Sequence, residues 1–143
     1  MFKRLADLLM PWRAIKRINA YYDALPRIYS DAYRIAYCAG ENNDPMPDAQ
    51  PEVFTLRQAD ELYALSEMRR GWNEAQHLRR QVLLRDAFDA GFNTTARSVM
   101  GVSDAARAHI AGKDADNVEL CHAMFYKFIH GHAVATYKRS RSK

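Results

Sequence analysis

Cys121, His122, His130 and His132 are the side chains of this 143-residue chain best suited to hold a metal ion. On a helix Cys121 and His122 diverge by about 100°, and His130 and His132 by about 200°. His122 and His130 share a face but stand two turns apart, and neither Cys-x-x-Cys nor His-Glu-x-x-His spacing occurs. Glycines 40, 71, 91, 101, 112 and 131 are isolated, so no phosphate-cradling loop can form. Asp60, Glu61, Glu67 and Glu74 alternate with Arg69, Arg70, Arg79 and Arg80, the pattern of a solvated helix face rather than of an acid–base pair. With no nucleophile set in a recognisable context, the expectation is a non-enzymatic protein without metal or cofactor.

Binding chemistry is better represented. Tyr21, Tyr22, Tyr29, Tyr33 and Tyr37 crowd one stretch, and tyrosine combines a large apolar ring with a polar tip that suits an interface. Tyr22, Tyr29 and Tyr33 with Arg27 and Arg34 form one candidate protein-binding face. Glu41, Asp44, Asp48 and Glu52 form a second, an acidic segment able to meet a basic surface or imitate a phosphate backbone.

A third candidate lies at residues 94–111. The stretch Ala96-Arg97-Ser98-Val99-Met100-Gly101-Val102 with Ile110 resembles the helix-turn-helix of bacterial repressors, in which a turn glycine lets two helices cross tightly. It departs from that pattern at Arg97, where a small residue stands at the crossing, and at Arg107, where an apolar residue enters the core. The resemblance implies that Ser103, Asp104 and Arg107 face DNA, assisted by Lys138, Arg139 and Arg141 of the basic C-terminus. A fourth candidate is the start of the chain, where Phe2, Leu5, Leu9 and Trp12 share a side among Lys3, Arg4, Arg13, Lys16 and Arg17, a layout suited to a membrane surface or a partner.

The elements that must carry these residues are helices. Hydrophobic residues make up 48% and charged residues 27% of the chain, a globular composition, and its length suits one domain. We expect an all-α bundle of five to six helices over 1–137 with a disordered basic tail at 138–143. The net charge of +4 divides unevenly: the first 37 residues and the tail are basic, 38–54 are acidic, and the rest balances.

Ile15, Ile18, Tyr22 and Leu25 set the period of a first helix, kinked or broken around Pro26. The three prolines of 40–54 make an acidic loop. Thr55 and Gln58 suit a capping box opening one long helix or two over 55–90, with a possible bend at Gly71 and Gly91 as C-cap. Short helices follow at Thr94–Met100 and from Ser103, stopped by Gly101 and Gly112, and a core helix starts at Asp116. Both cysteines are expected reduced and buried. Asp7, Pro11 and Arg13 interrupt any signal-peptide core, so a cytoplasmic location is expected. The leading functional expectation is a regulator, inhibitor or adaptor acting on another protein or protein assembly; DNA binding, membrane attachment and homodimerisation are the alternatives.

Overall fold

The structure, a computed structural model, describes residues 11–113, 115 and 117–142. Phe2, Leu5, Asp7, Leu9 and Asp116 lie outside the described residues. The protein is all-α, as its period and composition require, with four α-helices among the described residues: α1 (Pro11–Glu41), α2 (Gln58–Asn93), α3 (Val99–Ala111) and α4 (Val118–Arg141), plus a 3-10 turn at Pro51–Thr55.

Within the described residues, elements expected to be broken are continuous. Pro26 sits inside α1 without ending it, and Gly71 stays helical inside α2. Thr94–Arg97 is irregular, so the two short helices expected at 94–111 are the single α3. Ser98, not Ser103, caps α3 by accepting from the Gly101 amide, while Gly112 closes it as expected. The capping box at Thr55 does not form, because its hydroxyl donates back to the Glu52 carbonyl at 2.6 Å. Asn117 caps α4, accepting from the amides of Glu119 and Leu120. Residues 138–141, expected as a frayed tail, are the last turn of α4. Lys138 lies 5.4 Å from the Phe92 ring centre, and basic side chains at a helix C-terminus complement its dipole. Cys38 is exposed and Cys121 half-buried; both are free thiols rather than buried ones, and Cys121 Sγ donates to the Ala115 carbonyl.

The chain divides into two compact units, Met1–Gln76 and His77–Lys143, with α2 contributing to each. In the first, α1 and the start of α2 run in the same direction: Tyr21 meets Asp60, Tyr33 meets Glu74, and Gly40 meets Ala75. Parallel helices cannot be joined by a tight turn. Residues 42–57 must return along about 29 Å of helix, well within the reach of sixteen extended residues.

That return segment is the acidic loop, and it is packed rather than free. Val53 is 1% exposed and sits between Ile28 and Ala64; Ala49 and Leu56 pack beside them. Its start is pinned where α1 ends. Asn43 adopts a left-handed backbone (φ 60°), Gln76 donates to the Gly40 carbonyl, and Trp72 Nε1 donates to the Asp44 carbonyl at 2.9 Å.

The second unit repeats the plan. The end of α2 and α4 also run in the same direction, from Arg80 beside Glu119 to Phe92 beneath Lys138, and α3 fills the return. Ala87 packs with Leu120 and Met124, and Phe128 with Val102 and Ala106 of α3.

Glycine sets the separation of each helix pair. A Cβ on Gly91 would stand 1.9 Å from the Phe128 carbonyl oxygen, and one on Gly131 would stand 2.1 Å from that of Phe88. Gly91 is therefore a contact residue inside α2 and not its C-cap. Alanine at Gly91 or Gly131 should destabilise the protein by about 1–3 kcal/mol or more in chemical denaturation, because backbone cannot yield as a side chain does. Gly112→Ala, whose Cβ meets nothing closer than 3.6 Å, should be neutral or stabilise by up to about 1 kcal/mol.

Candidate functional site

The tyrosine face expected to meet a partner is largely turned to the protein's own use. Tyr21 donates to Asp60 Oδ2 and Tyr29 to Asp60 Oδ1 (3.2 Å), so one carboxylate of α2 holds two rings of α1. The Arg57 amide donates to the Tyr21 hydroxyl and its guanidinium to the Tyr22 hydroxyl, at 3.0 and 3.2 Å. One step along, Tyr33 donates to Glu74, and Arg70 lies 4.6 Å from the Tyr33 ring centre while bridging Glu67 and Glu74. Tyr29 meets Tyr63 edge-on, and Tyr33 stacks on Tyr37.

Asp60, Glu67 and Glu74 recur every seven residues on α2 and so share one face. That spacing is the signal by which the pairing of Asp60 and Glu74 with the tyrosines, and of Glu67 with Arg70 between them, is recognisable; alternation of charge alone suggests a solvated face.

Electrostatics follow this wiring. Burial, then the hydrogen bond to Asp60, raises the Tyr21 hydroxyl above the ordinary tyrosine range; burial and the Asp60 charge do the same to Tyr29. For Tyr33 the hydrogen bond to Glu74 is the main cause, and it holds the Glu74 carboxyl below the usual range, with Arg70 assisting.

The remaining expected residues are scattered. Arg27 pairs with Glu52 at 2.5 Å and approaches Asp31 at 3.4 Å, while Arg34 meets Asp31 at 3.3 Å. Glu52 is thereby separated from Glu41, Asp44 and Asp48, which stay exposed, Glu41 at the end of α1 and the two aspartates on the return segment. On α3, Ser103 is half-buried, and Arg107 is exposed within 3.7 Å of Asp104. These three occupy one helix, and Gly101, the turn glycine of the repressor-like pattern, lies in its first turn. Lys138, Arg139 and Arg141 are exposed on the last turn of α4.

Two surfaces stand out by their exposed bulk. Trp12, Ile15, Ile18 and Tyr22 recur along one side of α1 and are 46–58% exposed. Tyr126 and Tyr137 project from α4, at 73% and 61%. Among the described residues no group of three His, Cys, Asp or Glu side chains is placed to hold a metal ion, and no helix is long and apolar enough to cross a membrane.

The paired tyrosines and carboxylates define a pH window. Tyr21, Tyr29 and Tyr33 carry raised folded-state values, so their contribution is complete below about pH 10 and lost as pH rises beyond it. Glu74 carries a lowered value, so its contribution is present above about pH 4.5 and lost as pH falls. Denaturant midpoints measured across pH should fall at both ends, and Asp60→Asn should move the Tyr21 and Tyr29 ionisations, followed by ultraviolet absorbance, back toward ordinary tyrosine. An unchanged tyrosine titration would contradict the pairing.

No family model matches the chain, and no curated protein and no solved structure matches it.

Proposed function

We propose that the protein is a non-enzymatic helical interaction module, a regulator or adaptor, that docks the exposed apolar stripe at the start of α1 into an apolar groove of a partner protein. The observation that carries this reading is the stripe Trp12, Ile15, Ile18 and Tyr22. Its spacing of three, three and four residues places four large apolar side chains within about 120° of the helix circumference, the anchor pattern of a helix laid in a groove. All four are exposed; Ile18 stands seven residues before Leu25 and shares its side, so the stripe extends the side that buries Leu25, Ile28, Ala32 and Ala36 toward the N-terminal stretch of α1, ahead of the Tyr21–Asp60 pair at which α2 begins.

Charge specifies the partner further. Arg13, Lys16 and Arg17 flank the stripe, and Asp23 is the one acid between residues 11 and 30, so a groove with an acidic rim is complementary. Trp and Tyr are the residue types that most often dominate binding energy at such contacts. Tyr22 belongs to both this stripe and the tyrosine face expected at the outset. Tyr29 and Tyr33 instead spend their hydroxyls within the unit.

The test compares the protein with its Ile15→Asp/Ile18→Asp variant. Both positions are exposed, so circular dichroism and the thermal midpoint should be nearly unchanged. A protein retained stoichiometrically by the wild type after nuclease treatment of a source lysate should be lost from the variant, with affinity for the purified partner down by at least a hundredfold. Identical retention by both forms overturns the reading. Flotation with anionic vesicles that the variant loses, in the absence of a protein partner, reassigns the stripe to a membrane surface.

A further inference from the structure

The outer face of α4 is unlike the exposed stripe of α1. After Glu119, which approaches Arg80 at 3.7 Å, the helix contains no acidic residue through Arg141. Lys127, Lys138, Arg139 and Arg141 lie on this acid-free stretch. By helical geometry Tyr126, Lys127, His130, Tyr137, Lys138 and Arg141 fall within about 120° of one another. Facing them from α2 are Arg85 and the rings of Phe88 and Phe92, with Asp89 the acid on that side.

From this arrangement we propose that α4 carries a binding stripe for single-stranded nucleic acid, with the cations following the phosphates and Tyr126 and Tyr137 stacking on bases. Two observations favour it over other polyanion partners. Both tyrosine rings are largely open, and they stand about 17 Å apart along the helix axis, so splayed bases can reach each while the backbone passes between. Arg141 already lies 5.8 Å from the Tyr137 ring centre, placing a guanidinium beside the ring that would receive a base.

A duplex keeps its bases stacked and offers these rings little. A membrane surface would call for a run of large aliphatic side chains between them, where α4 has His130, the small Ala133 and the single branched Val134. The stripe shares no residue with the α1 surface, so the two proposals succeed or fail separately.

The test is fluorescence anisotropy of the full chain with labelled oligo-dT, with a duplex of equal length and polyglutamate as parallel probes. Oligo-dT should bind more tightly than either, with log K against log salt falling at a slope of about −2 to −3, the value for three or four phosphate contacts on a single strand. Tyr126→Leu/Tyr137→Leu should weaken oligo-dT binding by about a hundredfold and leave the salt slope alone. Lys138→Gln/Arg141→Gln should make the slope shallower by about 1.4. The Ile15→Asp/Ile18→Asp protein should bind oligo-dT as the wild type does. No binding at low salt overturns the proposal. So does equal affinity for polyglutamate, or for duplex, with the tyrosine variant unaffected.

Discussion

The structure depends on backbone meeting backbone. At Gly91 and Gly131 the helices come so close that a single methyl group has no place, and Gly40 and Gly71 hold the α1–α2 pair almost as tightly, with a Cβ at 2.7 and 2.5 Å from a carbonyl oxygen. Alanine lines the same contacts: Ala32, Ala36, Ala64, Ala75 and Ala87 are all nearly inaccessible. Such an interface gains dispersion contacts at short range. It encloses little volume, and few bulky side chains are fully buried, Met124 and Val53 being the largest. Apolar area removed from water is the main source of folding free energy, so a pair of helices this close needs a third element in its groove.

The parallel direction of each pair supplies that element. A connection between parallel helices has to travel their overlap in reverse, and in both units it travels inside the groove. In the first unit the traveller is an irregular acidic segment with Val53 as its wedge; in the second it is α3, with Val102 and Ala106. The prolines of residues 45–51 suit this role, since an extended segment loses little entropy by being held in the conformation proline already favours. Trp72, Gln76 and Arg27 then fasten the segment by hydrogen bonds to the Asp44 carbonyl and Asn43 Oδ1 and an ion pair with Glu52. Its acids accordingly divide, Glu52 pairing with Arg27 at the surface and Asp44 and Asp48 turned to solvent.

Helix was legible in this sequence because period and composition agree, as in Leu25, Ile28, Ala32 and Ala36 on α1. The helix breaks were less legible, because glycine and proline have more than one use. Gly71 and Gly91 look like a bend and a cap when only the chain's own conformation is considered, yet both answer to a neighbouring helix that the sequence does not display. Pro26 is similar, since its ring is accommodated on the exposed side of α1. The repressor-like spacing at 96–110 fails for a local reason: Ser98 offers a cap that starts α3 early and carries Gly101 into the helix. Among the candidate site residues, Tyr22 and the C-terminal cations are where a surface reading puts them. Tyr29 and Tyr33 are not, because their partners Asp60 and Glu74 lie thirty or more residues away.

The same packing explains why the outer surfaces are informative. With alanine and glycine filling many helix contacts, a good share of the large side chains stays at the surface. Single exposed apolar residues are ordinary on any protein. Trp12, Ile15, Ile18 and Tyr22 are not single: they keep the helical period along one exposed stripe, with Tyr22 also held by Arg57. Polar residues of good helix propensity at these positions would leave every glycine contact and every wedge in place. Folding energetics therefore account for Leu25, Ile28, Ala32 and Ala36 more fully than for the stripe ahead of them or for Tyr126 and Tyr137 on α4. On the two proposals, the bulk of these side chains answers to what lies outside the chain, a groove in one case and a row of bases in the other.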